Sequence, residues 1–152
     1  MQDVAFAALV HGVYVVTTRF EDLVNGMTAA WVSQVSLHPL LVMASIAPSR
    51  YSHNLIKESG IFAINVLDST QVELGKRFGY KSGRKVDKFA GLEWFTAATG
   101  APILPQAFAY FDLKLVDTCP AGDHTLFVGE VVEARILHPQ SQALVFKKSD
   151  FF

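Results

Sequence analysis

The sequence contains little cysteine and almost no excess charge. Cys119 is the only cysteine among 152 residues, so the chain can form no internal disulfide and lacks the second sulfur of a Cys-x-x-Cys redox pair. This usage predicts a reducing compartment. Thirteen Lys and Arg residues against fourteen Asp and Glu residues leave a net charge of -1. No global basic field is available to hold a phosphate backbone, so we predict no nucleic-acid partner and only a local anion site.

Long apolar runs are also missing. The clearest one, Leu40 to Ala47, is far shorter than the roughly 20 residues that a membrane-spanning helix needs. The first residues, Met1 to Val4, lack the basic region and apolar stretch of a secretion signal. No repeat and no long linker rich in Ser, Gly or Pro divides the sequence. We therefore predict one cytoplasmic domain over residues 1–152, with no membrane partner.

Motifs for metal binding and covalent catalysis are absent from the sequence. The histidines show no His-x-His or His-x-x-x-His spacing: they are His11, His38, His53, His124 and His138. The sequence has no Gly-x-Ser-x-Gly elbow, no P-loop and no Gly-x-Gly-x-x-Gly after a strand. We expect no metal site and neither serine-hydrolase nor nucleotide-hydrolysing activity.

What the sequence does contain is a series of short β-branched and apolar runs. The predicted strands are 13–18, 27–36, 40–46, 61–67, 111–115 and 126–137, with 40–46 and 61–67 buried on both faces. Glu21-Asp22 and Asn25-Gly26 are assigned to the turn before the second strand, and Pro120 to Asp123 to the last turn. Many sequential strands favour a mainly β fold, a closed β-barrel with helical insertions, over a doubly wound sheet.

Two short helices are predicted between these strands. Ser52 is the expected N-cap of the first, which buries Leu55 and Ile56 and stops at Gly60. Thr70-Gln71-Val72-Glu73 matches a capping box that opens the second. The segment Lys81 to Gly91 then reads as an exposed loop.

Two segments could bind a ligand. In Asn25 to Trp31, small residues precede an aromatic one, so a flat ring could approach the main chain at Ala29 and Ala30; the alternative is a hairpin with a packed Trp. In Ala47 to Asn54, Arg50 lies just before a helix N-terminus, a natural phosphate site; the alternative is a plain cap.

Two further segments carry charged or titratable side chains. Gly122-Asp123-His124 places a carboxylate beside a side chain that titrates near neutrality, although Gly and Asp are also ordinary turn residues. Lys81 to Lys88 holds four basic residues against Asp87, which suits either a phosphate-facing flap or a solvated loop.

Taken together, the order and spacing of these motifs resemble the flavin reductase-like, FMN-binding split-barrel family over about Gly12 to Leu137. The resemblance rests on Asn25-Gly26-Met27-Thr28, Ser36-x-x-Pro39-Leu40, Ser59 to Leu67, Lys88-Phe89, Gly122-Asp123-His124 and Gly129-Glu130-Val131. It implies a split β-barrel of Greek-key type that forms a homodimer and binds FMN.

The resemblance also implies roles for individual residues. The FMN contacts that it implies are Thr28, Ala29, Ala30 and Trp31 on the ring, Ser45 and Ala47 on the far side, Arg50, Ser52 and His53 at the phosphate, and Lys88 and Phe89 closing the pocket. His124, with Asp123, matches the family position near the nicotinamide.

The implied reaction is hydride transfer from NADH or NADPH to the flavin. Electrons would then pass to free flavin, a protein acceptor or a metal complex. Three function classes stay open: an NAD(P)H-dependent flavin reductase, a non-catalytic FMN electron carrier, and a split barrel that has exchanged flavin for another ligand such as haem.

Overall fold

The structure is a computed structural model that describes residues 2–152, with side chains from Val4 onward. Its strands are β1 (Tyr14–Phe20), β2 (Leu23–Ala29), β3 (Val32–Ser36), β4 (Leu41–Ile46), β5 (Ile61–Val66), β6 (Phe95–Thr96), β7 (Pro102–Ile103), β8 (Ala109–Ala121) and β9 (His124–Ile136). Its helices are α1 (Gln2–Phe6), α2 (Tyr51–Ser59), α3 (Val72–Gly79) and α4 (Lys148–Phe151).

Seven of the strands form one antiparallel sheet in the order β2-β1-β5-β8-β9-β4-β3. Among the described residues no ladder joins β2 to β3, so the barrel is split rather than closed. The mainly β prediction with helical insertions is confirmed. The closed barrel read from the strand pattern alone is corrected to the split barrel that the resemblance implied.

Burial differs between the two strands that the sequence predicts to be buried on both faces. Ile61–Val66 is buried on both faces, as its continuous apolar run predicted, because Phe62 and Ile64 pack in one core cluster and Ala63 packs in another on the opposite face. Leu41–Ile46 instead alternates between buried and half-buried side chains, so the prediction of burial on both faces is wrong for this strand. One face of β4 packs on the cluster around Phe62 and Phe127, and the other faces outward.

The Asn25-Gly26 pair lies inside β2 and forms no turn. The hairpin turns four residues earlier, at Glu21-Asp22, the other pair assigned to this turn, where Glu21 has φ +56°. Buried Asn25 donates its amide to Ser52 Oγ at 2.8 Å. A Cβ on Gly26 would lie 3.0 Å from the Phe78 ring, so glycine is required for close packing there.

The predicted strand over residues 27–36 is also interrupted, since β2 ends at Ala29 and β3 begins at Val32. The break at Ala30 and Trp31 redirects the chain toward β4, where Ser45 N–H donates to the Trp31 carbonyl at 3.0 Å. This break turns the polypeptide from one edge of the sheet to the other.

Neither helix begins at its predicted cap: α2 begins before Ser52, so the Ser52 cap prediction is wrong, and α3 begins after Thr70. Arg50 is the N-cap of α2, and Ser52 lies inside the first turn with its hydroxyl committed to Asn25. The α2 stop at Gly60 (φ +70°) and the buried Leu55 and Ile56 are confirmed.

The capping-box prediction for α3 is wrong. The helix starts at Val72, because the Thr70 amide and hydroxyl both donate to the Asp68 carboxylate instead of capping the helix. The Gln71 side chain likewise accepts from Asp68 N–H at 2.9 Å. A local turn around Asp68 thus replaces the expected cap.

The β8–β9 hairpin carries the last predicted turn. Ala121 pairs with His124 across Gly122 and Asp123, and Gly122 has φ +63°, which suits glycine. Both strands are longer than predicted and extend past the core. Over residues 2–152, no helix is both long and apolar enough to cross a bilayer.

Candidate functional site

A cavity of about 670 Å³ opens where β2 ends, within the size range of small-molecule and cofactor sites. We call its two walls the α2 side and the α3 side. The α2 side consists of Trp31, Ser45, Ala47, Ser49, Arg50 and His124; the α3 side consists of Gly75, Gly79, Tyr80, Phe146, Phe151 and Phe152. His11, Val13, Met27, Thr28, Ala29 and Ala30 line the cavity between them.

The segment Thr28 to Trp31 crosses the cavity from one wall to the other. Thr28 Oγ1 donates to the Gly75 carbonyl at 2.6 Å, which fixes β2 against α3. Ala29 and Ala30 present only methyl groups, so a flat ligand could approach the main chain there. Trp31 is half exposed, and its ring centroid lies 4.9 Å from that of His124. The structure thus brings together two motifs about 90 residues apart in the sequence.

The α2 side includes the start of a helix that has no side-chain cap. Arg50 N–H donates to the Ala47 carbonyl at 3.0 Å, which closes the turn, and His53 N–H donates to the Arg50 carbonyl at 3.1 Å. The N–H groups of Tyr51 and Ser52 precede that first helical bond. Exposed Arg50 adds a full positive charge beside the helix dipole, so this side favours an anion.

Ser52 and His53 lie behind this turn and do not line the cavity. His53 Nε2 lies 2.9 Å from Thr125 Oγ1, and its ring meets the edge of Phe127. Its Nδ1 is buried with no hydrogen-bond partner among the described residues. Burial lowers the pKa of His53, which keeps the ring neutral at neutral pH. The orphaned nitrogen is the kind of group that a bound molecule or water would satisfy.

His124 lines the cavity, whereas Asp123 points into solvent at the hairpin tip. Asp123 Oδ1 lies 2.7 Å from His124 Nδ1, and this hydrogen bond lowers the pKa of the Asp123 carboxyl. The carboxylate therefore orients the imidazole, and Nε2 is the ring nitrogen left for other contacts.

Lys88 and Phe89 are buried, unlike the rest of the loop that was expected to be exposed. Lys88 Nζ donates to the carbonyls of Gly26 and Phe78, both at 2.9 Å. Burial, with a contribution from Arg50, lowers the pKa of Lys88 to about 8. Phe89 packs edge-on against Phe78 in the core. Neither residue lines the cavity, so the structure places both behind it rather than over it.

The α3 side was missed by sequence reasoning. Phe146 and Phe151 stack at 5.6 Å between ring centroids, and the Tyr80 hydroxyl donates to the Phe151 carbonyl. The only local signal was the four-residue spacing of Gly75 and Gly79, which places both glycines on one face of α3. A Cβ on Gly75 would lie 3.0 Å from the Phe151 ring, so this close packing requires glycine.

The comparisons with known proteins agree with this geometry. The sequence model described as "Flavin reductase like domain" matches residues 6–152. The chain belongs to the flavin reductase-like family. Within this family, a ferric-chelate reductase (NAD(P)H) of Archaeoglobus fulgidus is 37% identical over 135 residues, which cover 88% of this chain and 80% of that protein. An FMN reductase (NADH) of Agrobacterium fabrum is 37% identical over 97% of this chain and 81% of its own length.

Solved structures of the flavin reductase-like family share the fold. An FMN-binding protein from Thermus thermophilus superposes with a TM-score of 0.86 at 31% identity, covering 95% of this chain and 85% of that chain. An NADH:FAD oxidoreductase of Streptomyces globisporus gives 0.88 at 29% identity, covering 96% and 87%. The resemblance read from the motifs is confirmed.

Some relatives in the family are longer than this chain. The matched segment spans 61% of a high molecular weight rubredoxin from Moorella thermoacetica, at 34% identity. It spans 46% of an Aeropyrum pernix protein that is 41% identical over 120 residues. In these relatives the domain is part of a larger protein.

Proposed function

We propose that this protein binds FMN in the cavity and reduces it with NADH or NADPH as a flavin reductase. One observation carries the proposal. The same cavity contains an uncapped helix start beside Arg50 and, between its two walls, the small residues Ala29 and Ala30. The names of the Archaeoglobus and Agrobacterium relatives support it.

The chemistry of the lining fits FMN. A phosphate monoester suits the α2 side, where the Tyr51 and Ser52 N–H groups and the Arg50 guanidinium are donors. Buried His53 lies behind this turn as a further candidate, because its Nδ1 has no partner among the described residues. Ser52, Lys88 and Phe89 would then support the FMN site without contacting FMN through their side chains. Ser52 bonds to Asn25, Lys88 bonds to the Gly26 carbonyl, and Phe89 packs on Phe78.

The ring system suits the middle of the cavity and the α3 side. Ala29 and Ala30 leave room for a planar group, and the aromatic side chains of the α3 side exclude water around its apolar edge. Ser45 and Ala47 also line the cavity and would contact the far side of the ring.

When bound, FMN supplies a ring that accepts hydride from the nicotinamide. The protein holds the two rings together and excludes water. His124, held by Asp123 and packed on Trp31, is the candidate for orienting the nicotinamide or moving a proton at Nε2.

The alternative function is an FMN electron carrier fed by another protein. The relative named as a high molecular weight rubredoxin favours this alternative, because rubredoxins are electron-transfer proteins. The cavity wall at Ala29, Ala30 and His124 favours the reductase, since a carrier needs no nicotinamide contact. A protein electron acceptor is compatible with either function.

We also infer that the active form is a cytoplasmic homodimer. Large apolar side chains are exposed along the edge formed by β3 and the turn into β4, namely Val35, Leu37 and Leu40, and further ones lie on β9 at Val132 and Ile136. Burying them against a second copy would remove an apolar surface that a monomer rarely exposes. Sedimentation of the FMN-bound protein at micromolar concentration tests this inference, and a monomer that retains FMN would refute it.

Anaerobic mixing of the FMN-loaded protein with NADH or NADPH tests the reductase. We expect the flavin absorbance near about 450 nm to bleach within seconds with at least one nucleotide. Bleaching only by a reduced ferredoxin or similar donor would refute the reductase and favour the carrier. A colourless purified protein that fails to take up FMN would exclude both.

A further inference from the structure

Arg84 makes two contacts outside its own loop, and both are to the start of α2. Its Nη1 donates to the Ser49 carbonyl at 3.1 Å, and its guanidinium carbon lies 4.9 Å from the centre of the Tyr51 ring. Ser49 precedes the N-cap Arg50, and Tyr51 is the first helical residue. One exposed arginine therefore bridges the residues on either side of Arg50.

The backbone beside Arg84 packs closely against the same helix turn. A Cβ on Gly83 would lie 2.0 Å from Asn25 Oδ1 and 3.2 Å from the Tyr51 ring, so a larger residue there would displace the Asn25 side chain. Asn25 in turn donates to Ser52 Oγ at 2.8 Å. Buried Lys88, four residues after Arg84, anchors the chain to the Gly26 carbonyl of β2. Residues 82–88 thus form a strap that contacts the first turn of α2 at Arg84 and is fixed to β2 at Lys88.

The charge of Arg84 is not used in an ion pair of the described part of the chain. The salt bridges within residues 2–152 are Lys76–Glu73, His124–Asp123 and Arg135–Glu133. The guanidinium carbon lies over the Tyr51 ring while Nη1 donates to the Ser49 carbonyl, and a planar group with donors pointing in several directions makes both contacts at once, which the compact ammonium of lysine does not. The geometry of the group, and not only its charge, is therefore what the contacts require.

We propose that Arg84 is a positioning residue that fixes the Ser49–Arg50 turn, and so makes the cavity selective for a flavin that carries a phosphate. This inference rests on the proposed function, since it assigns the phosphate to the α2 side. Arg84 acts through Ser49 and Tyr51: it holds the Arg50 guanidinium and the first helical N–H groups in one arrangement. Arg84 does not line the cavity and contacts only residues beside the proposed phosphate site, so riboflavin binding should not depend on it.

The test compares FMN and riboflavin affinities of the full chain by flavin-fluorescence titration for wild type, R84Q and R84K. R19Q is the matched control, because Arg19 also donates to one carbonyl, that of Glu21, at a turn of the β1–β2 hairpin. We expect both R84Q and R84K to bind FMN about tenfold more weakly, the loss that one positioned hydrogen bond typically gives. Riboflavin affinity should stay within about twofold, and R19Q should match wild type for both ligands.

Three results would overturn the proposal. Wild-type FMN affinity in R84K would show that Arg84 supplies only charge. An equal loss of FMN and riboflavin affinity in R84Q would show general support of the fold, and unchanged FMN affinity in R84Q would show no role. A wild-type protein that binds neither flavin is a different result, because it rejects the proposed function itself.

Discussion

The two walls of the cavity differ in how the sequence builds them. Most of the α2 side comes from the continuous segment Ser45 to Arg50, whose donors are set by a tight turn and a helix start. The α3 side is assembled from α3 and the segment Phe146 to Phe152, which meet only after the chain has crossed the whole sheet. The difference teaches that polar recognition here is local in sequence, while apolar recognition depends on long-range packing.

The same difference predicts how substitutions on each wall affect ligand binding and stability. Changes on the α2 side should alter ligand chemistry and leave the fold stable, because none of its side chains is fully buried. Changes at Phe146 and Phe151 on the α3 side should reduce stability and ring binding together, because these two residues pack in a core cluster with Phe78 and Phe89.

Replacing His124 should give the largest effect on the α2 side. We expect H124A to slow flavin reduction by roughly 10²-fold or more, as loss of an acid–base or positioning imidazole does, while the Kd for FMN changes by less than about threefold. Stopped-flow reduction with NADH and NADPH measures the rate. D123A is the matched control and should have a smaller effect, since it removes the orienting hydrogen bond to Nδ1 and keeps the imidazole ring. An H124A protein with an unchanged rate and KM would make the turn structural only.

Removing the Phe151 ring should lower both the stability of the protein and its affinity for the flavin ring. Phe151 is 8% exposed and stacked on Phe146, so F151A should reduce the free energy of unfolding by about 3 kcal/mol. The neighbouring Phe152 is 87% exposed, and F152A should change it by less than about 0.5 kcal/mol. Urea unfolding compares the two. F151A should also weaken FMN and riboflavin equally, and a loss confined to FMN would contradict the assignment of the walls.

Replacing Arg50 should weaken FMN binding far more than riboflavin binding, whereas replacing Phe151 should weaken both equally. R50Q removes a charge-assisted hydrogen bond worth about 1.5–3 kcal/mol, which is a 10- to 150-fold loss of FMN affinity. Riboflavin has no phosphate and should lose less than about threefold. Isothermal titration of both ligands measures the ratio. If R50Q lowered riboflavin affinity as much as FMN affinity, Arg50 would contact the ring and the α2 side would not be the phosphate side.

Lys88 lies behind the cavity and bonds to both β2 and α3. Its replacement should give the smallest effect, a change in how the free energy of unfolding depends on pH. Its pKa of about 8 lies below the ordinary 10.5, so between these values the unfolded chain holds a proton that the folded chain has released. The unfolding free energy should therefore rise with pH across this window, by no more than about 1.4 kcal/mol per pH unit from this group. Urea unfolding of wild type and K88M at several pH values isolates the slope. A difference between the two proteins that stays constant with pH would contradict the lowered pKa.

The sequence predicted the elements that flank the α2 side because the signals for these elements are contiguous in the sequence. The helix stop at Gly60, the buried run Ile61 to Val66 and the Gly122 turn depend on neighbours within a few residues, so pattern and turn chemistry were sufficient.

Other predictions failed where a distant partner changed a local preference. Asn25-Gly26 is ordinary turn chemistry, but Asn25 bonds to Ser52 and Gly26 faces Phe78. Lys88 reads as a loop lysine, yet two carbonyls from other elements accept its ammonium hydrogen bonds.

The aromatic residues of the α3 side have no local signal beyond the spacing of Gly75 and Gly79 on the facing helix. Its position depends on isolated bridges that join Gly12 to Val145 and Asp68 to Ala143. Pairings this far apart in the sequence cannot be inferred from periodicity within a short window.

A crystal structure of the FMN complex tests the division of the cavity most directly. The account predicts the phosphate against Arg50 and the N–H groups of Tyr51 and Ser52, with the ring over Ala29 and Ala30. A phosphate found instead beside Tyr80 and Phe151, with the ring against Arg50, would contradict it.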